Sequence, residues 1–329
     1  MKQQQKIVIA LALIAIGCKE TLAETEAEKL GFPAGGKIVI LHADDAGMCE
    51  EANIAAAQLL EDNQIQSAAV MMPCPGAEKF IQWAKAHPKE DVGLHLTLTS
   101  EWKEYRWGPI TASNEVPGLV DSEGMLWSNV PDVVQHASPK EVEKELMAQI
   151  DRSISLGYQP DHIDTHMGTL YGHPDYVEVF FKVAEEYGIP ANVIDLSDPL
   201  MVTKFRNLGY PIDRKVIELA EHYQLPKLDD FGYVPNGSTY EEKVENFKSY
   251  IQSLSPGLTE IVFHPSAESE HLKSLTHLWQ QRVWEMKLFS DPEVVQFLEE
   301  EGIVFTNWRE IMQRFRKNQQ NLTGTTDEH

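Results

Sequence analysis

The chain has 329 residues, of which 42% are apolar and 24% are charged, so it is long enough for one large domain or two small ones. Its 51 acidic residues outnumber 28 basic ones, and the net charge of −23 argues against a nucleic-acid partner. Three cysteines without a Cys-x-x-Cys pair exclude a disulfide framework, so any metal ion must be bound by histidine and carboxylate groups.

An apolar run at residues 7–16 stands directly before Gly17 and Cys18. The run is too short to span a bilayer but has the length of a secretory signal core. The residues before Cys18 resemble a bacterial lipobox, which predicts lipidation of Cys18 and membrane attachment; secretion after cleavage at Ala23 is the alternative. We therefore predict an exported protein, either a periplasmic or cell-envelope lipoprotein or a secreted one. Residues 1–18 would be its signal peptide and residues 19–36 a linker.

Short apolar runs alternate with helical patterns in the remaining sequence. Strands are predicted at residues 37–41, 67–72, 92–99, 162–166, 191–196, 260–264 and 303–306. Helices are predicted at residues 50–60, 76–86, 175–187, 213–223, 241–254 and 281–300, and in the segment that follows residue 138. This alternation predicts one α/β domain over residues 37–316, with about seven parallel strands closed as a barrel. The polar tail at residues 317–329 is predicted to be disordered.

The helix after residue 138 has a recognisable start. Ser138 fits an N-cap, Pro139 the first helical position, and Glu141 the partner in a capping box. Apolar residues recur at every fourth position after this start, which predicts a single apolar face. The members of that face are Val142, Leu146, Ile150 and Ile154.

Histidine and aspartate residues stand at the predicted carboxyl ends of the strands, where parallel α/β folds carry their chemistry. His95 shares the polar face of its strand with Thr97 and Thr99, because side chains alternate along a strand. A hydrogen-bonded core histidine is the alternative for His95. Asp44 and Asp45 follow the first strand, and they are either turn and capping residues or two carboxylates with different roles.

The pattern His162-x-Asp164-x-His166 places three ionisable side chains on one face of a strand. Burying such groups together requires that they pair, titrate abnormally or bind a metal ion. A structural Asp–His hydrogen bond is the alternative interpretation. Together with His95 and one aspartate, His166 would complete a two-histidine, one-carboxylate set with open positions for water and substrate.

Four sequence blocks occur in a defined order: LHADDAGM (41–48), VGLHLTLT (92–99), PDHIDTHMG (160–168) and EIVFHPS (260–266). Together they resemble the YdjC-like carbohydrate deacetylases, which include chitooligosaccharide deacetylases of the ChbG type. The resemblance spans residues 37–306. It implies a deformed α/β barrel, distantly related to the NodB-type polysaccharide deacetylases. It also implies a hydrolase that removes the acetyl group from an N-acetylated sugar or oligosaccharide.

The same resemblance implies site residues. One divalent ion, Zn²⁺ or Mg²⁺, would be bound by Asp45, His95 and His166, with Asp44 as the catalytic base. His264 would donate a proton to the leaving amine, and the alternative for His264 is a turn residue before a proline.

His162 and Asp164 lie back along the strand from His166 and are predicted to orient it. The sequence departs from the family pattern after this strand, because Met167 and Gly168 follow where further histidines are common. The next histidine, His173, is a weak candidate for substrate binding.

The segment 100–137 is rich in aromatic residues. Trp102, Trp107 and Trp127 are candidates for a sugar-stacking platform, with ordinary packing at the barrel rim as the alternative. Two other functions stay open: an Fe(II) oxygenase, which uses the same donor set, and a non-catalytic surface protein that binds carbohydrate. Asp44 beside Asp45, together with His264, favours hydrolysis. The sequence does not indicate the oligomeric state.

Overall fold

The computed structural model describes residues 24–323. The predicted signal peptide, the predicted lipidation site Cys18 and residues 324–329 lie outside these residues. The described chain is an α/β fold whose strands are β1 (Lys37–Ala46), β2 (Ser67–Val70), β3 (Val92–Leu96), β4 (Ile163–Thr165), β5 (Asp230–Tyr233), β6 (Gly257–Phe263) and β7 (Val304–Phe305).

The helices surround this sheet. They are α1 (Glu26–Lys29), α2 (Glu50–Glu61), α3 (Ala77–Ala86), α4 (Val130–His136), α5 (Pro139–Ser155), α6 (Pro174–Tyr187), α7 (Pro199–Asn207), α8 (Arg214–His222), α9 (Tyr240–Ser253), α10 (Glu270–Leu275), α11 (Trp279–Ser290), α12 (Pro292–Glu300) and α13 (Trp308–Thr323). Within the described residues, none of them has the length and apolarity that a membrane-spanning helix needs.

The strands pair in parallel in the order β4-β3-β2-β1-β6-β5, and β7 pairs with β1. Single bridges from Ile163 to Ala191 and from Ile194 to Leu228 continue the sheet from β4 to the residues before β5. The sheet is therefore a deformed α/β barrel, which confirms the predicted fold class. The prediction of a regular strand at 191–196 is wrong. The amide of Val193 donates to the carbonyl of Ala191, and this tight turn interrupts the ladder.

Strand β1 is the centre of the fold. Its residues 37–43 pair in register with 257–263 of β6, and Ile38, Val39, Ile40 and Leu41 are buried. Parallel strands that are buried on both faces, against the helices outside and the barrel interior inside, need such continuous apolar runs, so the sequence signal for β1 was strong. At its carboxyl end β1 delivers its polar residues to the mouth of the barrel.

Helix α5 begins as predicted, with the capping box of Ser138 and Glu141 formed. Its apolar face ends earlier than predicted, because Ile154 is 39% exposed. With 3.6 residues per turn, a strict spacing of four rotates gradually off one face of a helix. Ser153 takes the inward position instead, and its hydroxyl donates to the carbonyl of Tyr158.

The folded chain begins before residue 37, contrary to the prediction of a linker at 19–36. The carboxylate of Asp229 accepts hydrogen bonds from the amides of Glu26 and Ala27 in α1, at 2.7 and 3.0 Å. Leu30 and Phe32 are buried against the domain. These contacts fasten the segment to the barrel.

Two predictions for the C-terminal part are also wrong. The helix expected at 281–300 is two helices, because Asp291 caps α12 and Pro292 takes its first position. The tail predicted to be disordered from residue 317 is helical as far as Thr323. Buried Trp308 and Ile311 anchor the start of α13, so the later turns continue an already formed helix.

Candidate active site and metal centre

The end of β1 places two adjacent carboxylates in different directions. Asp45 adopts a φ of 65°, a left-handed conformation that aspartate tolerates better than most residues. The following turn is held by the amide of Gly47, which donates to Oδ1 of Asn53 at 2.6 Å. Because the chain turns at Asp45, the Asp44 and Asp45 side chains meet different neighbours.

The side chains of Asp45, His95 and His166 converge on one point at the barrel mouth. Oδ1 of Asp45 lies 3.6 Å from Nε2 of His95 and 3.4 Å from Nδ1 of His166. All three residues are buried, and among the described residues this Asp45 oxygen has no hydrogen-bond partner. An unpaired buried oxygen facing two imidazole nitrogens fits a divalent metal ion. The structure thus brings together the three predicted ligands.

A carboxylate holds the second ring nitrogen of each histidine. Nδ1 of His95 lies 2.6 Å from Oδ1 of Asp164, and Nε2 of His166 lies 3.1 Å from Oε2 of Glu101. Such partners select the tautomer and orientation of a ligating histidine. The prediction that Asp164 orients His166 is therefore wrong: Asp164 orients His95, its register partner across β3 and β4.

The charge of Asp45 is compensated from helix α11. Nη2 of Arg282 donates to Oδ2 of Asp45 at 2.8 Å, and its guanidinium lies 5.5 Å from the centre of the Trp102 ring. Burial opposes ionisation, but the Arg282 guanidinium holds the pKa of Asp45 well below its usual range. Asp45 therefore stays a carboxylate, the form that binds a cation.

The pKa values of the two candidate ligand histidines, His95 and His166, are raised in the metal-free protein. Burial lowers the pKa of His166, but the neighbouring Glu101 and Asp45 carboxylates raise it to about 10. Burial likewise opposes protonation of His95, while Asp164 and Asp44 raise its pKa. This negative surrounding charge attracts either protons or a metal cation.

Asp44 lies beside this group of three rather than in it. Its Oδ2 atom is 3.8 Å from Nε2 of His95 and 3.8 Å from Nε2 of His264. The His264 side chain is 35% exposed, and its backbone amide donates to Glu285 at 2.7 Å. Asp44 is thus placed between the candidate metal centre and a histidine at the cavity mouth.

Beneath these residues lies a second layer of buried titratable groups. Nε2 of His42 lies 3.2 Å from Oδ1 of Asp44 and 3.0 Å from Oδ2 of Asp164. Burial opposes its charge, but Glu260 and these carboxylates raise the pKa of His42 well above its usual value. His42 therefore connects the carboxylate beside the metal centre to the one that orients His95.

His162 belongs to the deeper layer. Its Nδ1 atom is 3.1 Å from Oδ1 of Asp91, and its ring stacks on Trp308 with 5.8 Å between centroids. His162 therefore does not orient His166, contrary to the expectation from the sequence. Ligand atoms of His42, His162 and Asp164 also converge. However, the Asp164 oxygen that faces this group, Oδ2, already pairs with Nε2 of His42 at 3.0 Å, and His162 pairs with Asp91.

Three site residues were missed in the sequence. His42 lies two positions before Asp44 on a strand, so the period of two could have placed it on the same face. Glu101 continues, by the same period, the polar face of β3 that carries His95. Arg282 stands in a helix without any motif, and its contact with Asp45 joins residues 237 positions apart.

A cavity of about 570 Å³ opens beside the candidate metal centre. Its polar end is lined by Asp44, Asp45, His95, Glu101, His166, His264 and Arg282. Trp102 also lines this cavity, and its role in stacking on a sugar stays a prediction.

The other three weak candidates for substrate binding do not line the cavity. Trp107 is buried, and its Nε1 donates to the carbonyl of Thr99 at 2.8 Å. Trp127 donates from Nε1 to the carbonyl of Gly118. His173 accepts a hydrogen bond from the amide of Asp175 as the N-cap of α6. These side chains hold loops and helices, and the geometry places none of them against the cavity.

Comparison with known proteins identifies relatives over most of the chain. The family model for YdjC-like proteins matches residues 38–300. A carbohydrate deacetylase of Thermus thermophilus is 32% identical over 279 residues, covering 83% of this chain and 93% of the relative. A carbohydrate deacetylase of Thermoanaerobacter pseudethanolicus is 26% identical over 274 residues, covering 83% of this chain and 98% of the relative.

The fold also resembles a solved structure. The crystal structure of a proposed cellobiose-phosphate cleavage protein from Enterococcus faecalis superposes with a TM-score of 0.68 at 23% sequence identity. The match covers 84% of this chain and 99% of that protein. At this identity the likeness concerns the fold alone.

Proposed function

The chain belongs to the YdjC-like family, and from this premise we propose that it is a metal-dependent hydrolase that removes acetyl groups from an N-acetylated carbohydrate. The relatives named carbohydrate deacetylase support the reaction. Metal dependence is carried by one observation: Oδ1 of Asp45 faces Nε2 of His95 and Nδ1 of His166 within 3.6 Å.

The donor set favours Zn²⁺ over Mg²⁺. Two imidazole nitrogens and one carboxylate oxygen are the ligands of catalytic zinc sites, whereas Mg²⁺ prefers oxygen ligands and water. Bound there, a divalent ion would polarise the amide carbonyl and lower the pKa of water. Arg282 keeps Asp45 ionised for this role, and Glu101 orients His166.

Asp44 and His264 supply the proton transfers. Asp44 is not one of the three proposed ligands, so its carboxylate is free to accept the proton of the attacking water. The Nε2 atom of His264 is 3.8 Å from Oδ2 of Asp44 and lines the same cavity. A histidine placed there donates a proton to the nitrogen that leaves as an amine. Nε2 of His42 lies 3.2 Å from the other Asp44 oxygen, and this ion-pair contact helps to position the carboxylate.

The test is acetate release from a panel of N-acetylated glycans, with and without a chelator. We expect the chelator to abolish release and Zn²⁺ to restore it, while His95→Ala stays inactive in both conditions. Acetate release that is unaffected by the chelator would contradict metal dependence. A requirement for oxygen would instead favour the Fe(II) oxygenase.

We also propose that the protein is exported and lipidated at Cys18. The support is the apolar run at residues 7–16 before Gly17 and Cys18. An enzyme outside the cytoplasm would meet polymeric or envelope-bound glycans.

A further inference from the structure

The cavity beside the candidate metal centre extends into a compartment without charged side chains. We call this part the apolar chamber. It is lined by Phe181, Ile194, Leu196, Phe205, Val216 and Ala220. Each of these residues is at most 8% exposed, whereas cavity residues such as Met167, Tyr233 and Leu278 are at least 44% exposed. The exposed residues mark the mouth, and the chamber is the interior.

The polar atoms next to the chamber are largely paired within the protein. The hydroxyl of Tyr171 donates to the carbonyl of Asn192 at 3.0 Å. Tyr233, which is 47% exposed, belongs to the mouth of the cavity rather than to the chamber. Among the described residues that line this interior, Oδ1 of Asn192 is the buried side-chain oxygen left without a partner. The chamber therefore offers almost no hydrogen bonds to a ligand.

The lack of hydrogen-bonding groups decides which part of an amide substrate can enter the apolar chamber. With the carbonyl at the candidate metal centre, the acyl group and the amino sugar extend in different directions. A sugar ring in the chamber would lose its hydrogen bonds to water without replacement, which is strongly unfavourable. An alkyl chain there would instead leave water for an apolar surface, which is favourable.

We propose that the apolar chamber binds the acyl chain of the substrate, and that the enzyme hydrolyses N-acyl groups longer than acetyl on an amino sugar that stays at the mouth. This proposal rests on the proposed function, since it uses the same site and reaction. Water adds to the amide carbonyl and the C–N bond breaks. The acyl group leaves as a carboxylic acid, and the nitrogen takes up a proton to become an amine.

The test compares chitobiose carrying N-acetyl, N-butyryl, N-hexanoyl or N-octanoyl groups as substrates of the full-length enzyme with Zn²⁺. We expect kcat/KM to rise with chain length by up to about fourfold for each buried methylene. Ala220→Leu narrows the chamber and should lower the octanoyl-to-acetyl ratio of kcat/KM at least tenfold. Glu221→Leu is the matched control, because the neighbouring Glu221 is exposed on the same helix α8.

A second measurement does not depend on hydrolysis. Calorimetric titration should show that octanoate binds the wild-type protein more tightly than acetate, and that Ala220→Leu removes the difference. Phe205→Ala, which enlarges the chamber, should retain octanoate binding even if Ala220→Leu fails to fold.

The outcomes separate the two proposals. Faster hydrolysis of the acetyl substrate, together with equal binding of acetate and octanoate, overturns the acyl-chain proposal and leaves the deacetylase proposal standing. If no amide is hydrolysed, the proposed function fails. In that case, octanoate binding to the wild-type protein that is lost in Ala220→Leu still supports an acyl-binding chamber. If the wild-type protein does not bind octanoate, the acyl-binding chamber is overturned as well.

Discussion

Nδ1 of His95 lies 2.6 Å from Oδ1 of Asp164, and the two residues are register partners on the parallel strands β3 and β4. This carboxylate leaves Nε2 of His95 directed at Asp45, 3.6 Å from its Oδ1 atom. The pairing of β3 with β4 therefore fixes the orientation of the candidate metal ligand His95. The other ligand histidine, His166, lies beyond the end of β4 and is oriented from a loop by Glu101.

We predict that removing a ligand removes the ion, whereas removing His162 does not. His95→Ala and His166→Ala should each lose bound metal and activity together, because two ligands hold a divalent ion poorly. His162→Asn should lower the melting temperature but keep the metal, because His162 pairs with Asp91 below the centre. Elemental analysis of purified variants checks this. Loss of the ion only in His162→Asn would move the site to the deeper layer.

We predict that the two adjacent aspartates have separable roles. Asp44→Asn should keep fold and metal but lose about 10²–10⁴-fold in kcat, because an amide cannot accept the proton of water. Asp45→Asn should lose metal affinity, because it removes the charged oxygen at the centre. Steady-state kinetics with parallel metal analysis distinguishes the two. Full activity of metal-loaded Asp44→Asn would exclude it as the base.

We predict that the carboxylates behind the histidines tune metal affinity without binding the ion. Glu101→Gln and Asp164→Asn should each weaken metal binding by about 10–100-fold while the site still fills at high metal concentration. Competition with a chromogenic chelator measures the affinity. Glu104→Gln is the control for the loop, because its side chain is 82% exposed. Unchanged affinity in both buried variants would show that the histidines need no orienting partner.

We predict that metal affinity rises with pH. Because the pKa of His166 is raised to about 10, its imidazole is protonated in the metal-free protein at neutral pH and must lose a proton to bind an ion. Apparent affinity should increase about tenfold per unit between about pH 7 and 9 for one released proton. Calorimetry in buffers of different ionisation enthalpy counts the protons. Affinity independent of pH would place the ion away from His166.

Protonation of His166 makes the stability of the metal-free protein change with pH in the opposite direction to metal affinity. The folded pKa of His166 lies above its ordinary value of 6.5, so this contribution is complete below pH 6.5 and is lost as pH rises toward 10. Melting curves recorded in the presence of a chelator should show this. The stability of the His166→Gln variant should fall less steeply between pH 6.5 and 10 than that of the wild-type protein. An identical profile for both proteins would contradict the assignment.

We predict that the mature chain lacks its first residues. The apolar run before Cys18 should direct export, followed by cleavage and lipidation. Intact-mass measurement of membrane and soluble fractions should find a diacylated chain beginning at Cys18, and Cys18→Ala should release it from the membrane. A chain still carrying Met1 in the cytoplasm would refute export.

Much of the barrel was predictable because its signals are local. The apolar run of β1, the capping box at Ser138 and the period of two that places His95 on a polar face each lie within a few residues. The candidate ligands were found for the same reason, since each stands at the end of a strand whose position in the sequence was clear. The ordered sequence blocks then indicated the family, which the family-model match over residues 38–300 confirmed.

What the sequence alone determined was therefore six of the seven strands and the residues at their ends, whereas β5 (Asp230–Tyr233) was not predicted. The tertiary structure decided which of those residues touch. Asp164 bonds to His95 rather than His166 because strand register places it there, and Arg282 reaches Asp45 only because α11 packs over the mouth. The apolar chamber also depends on α6, α7 and α8 meeting the interrupted strand at 191–196. Such contacts join distant positions, and their geometry depends on how the elements pack together, which no local pattern contains.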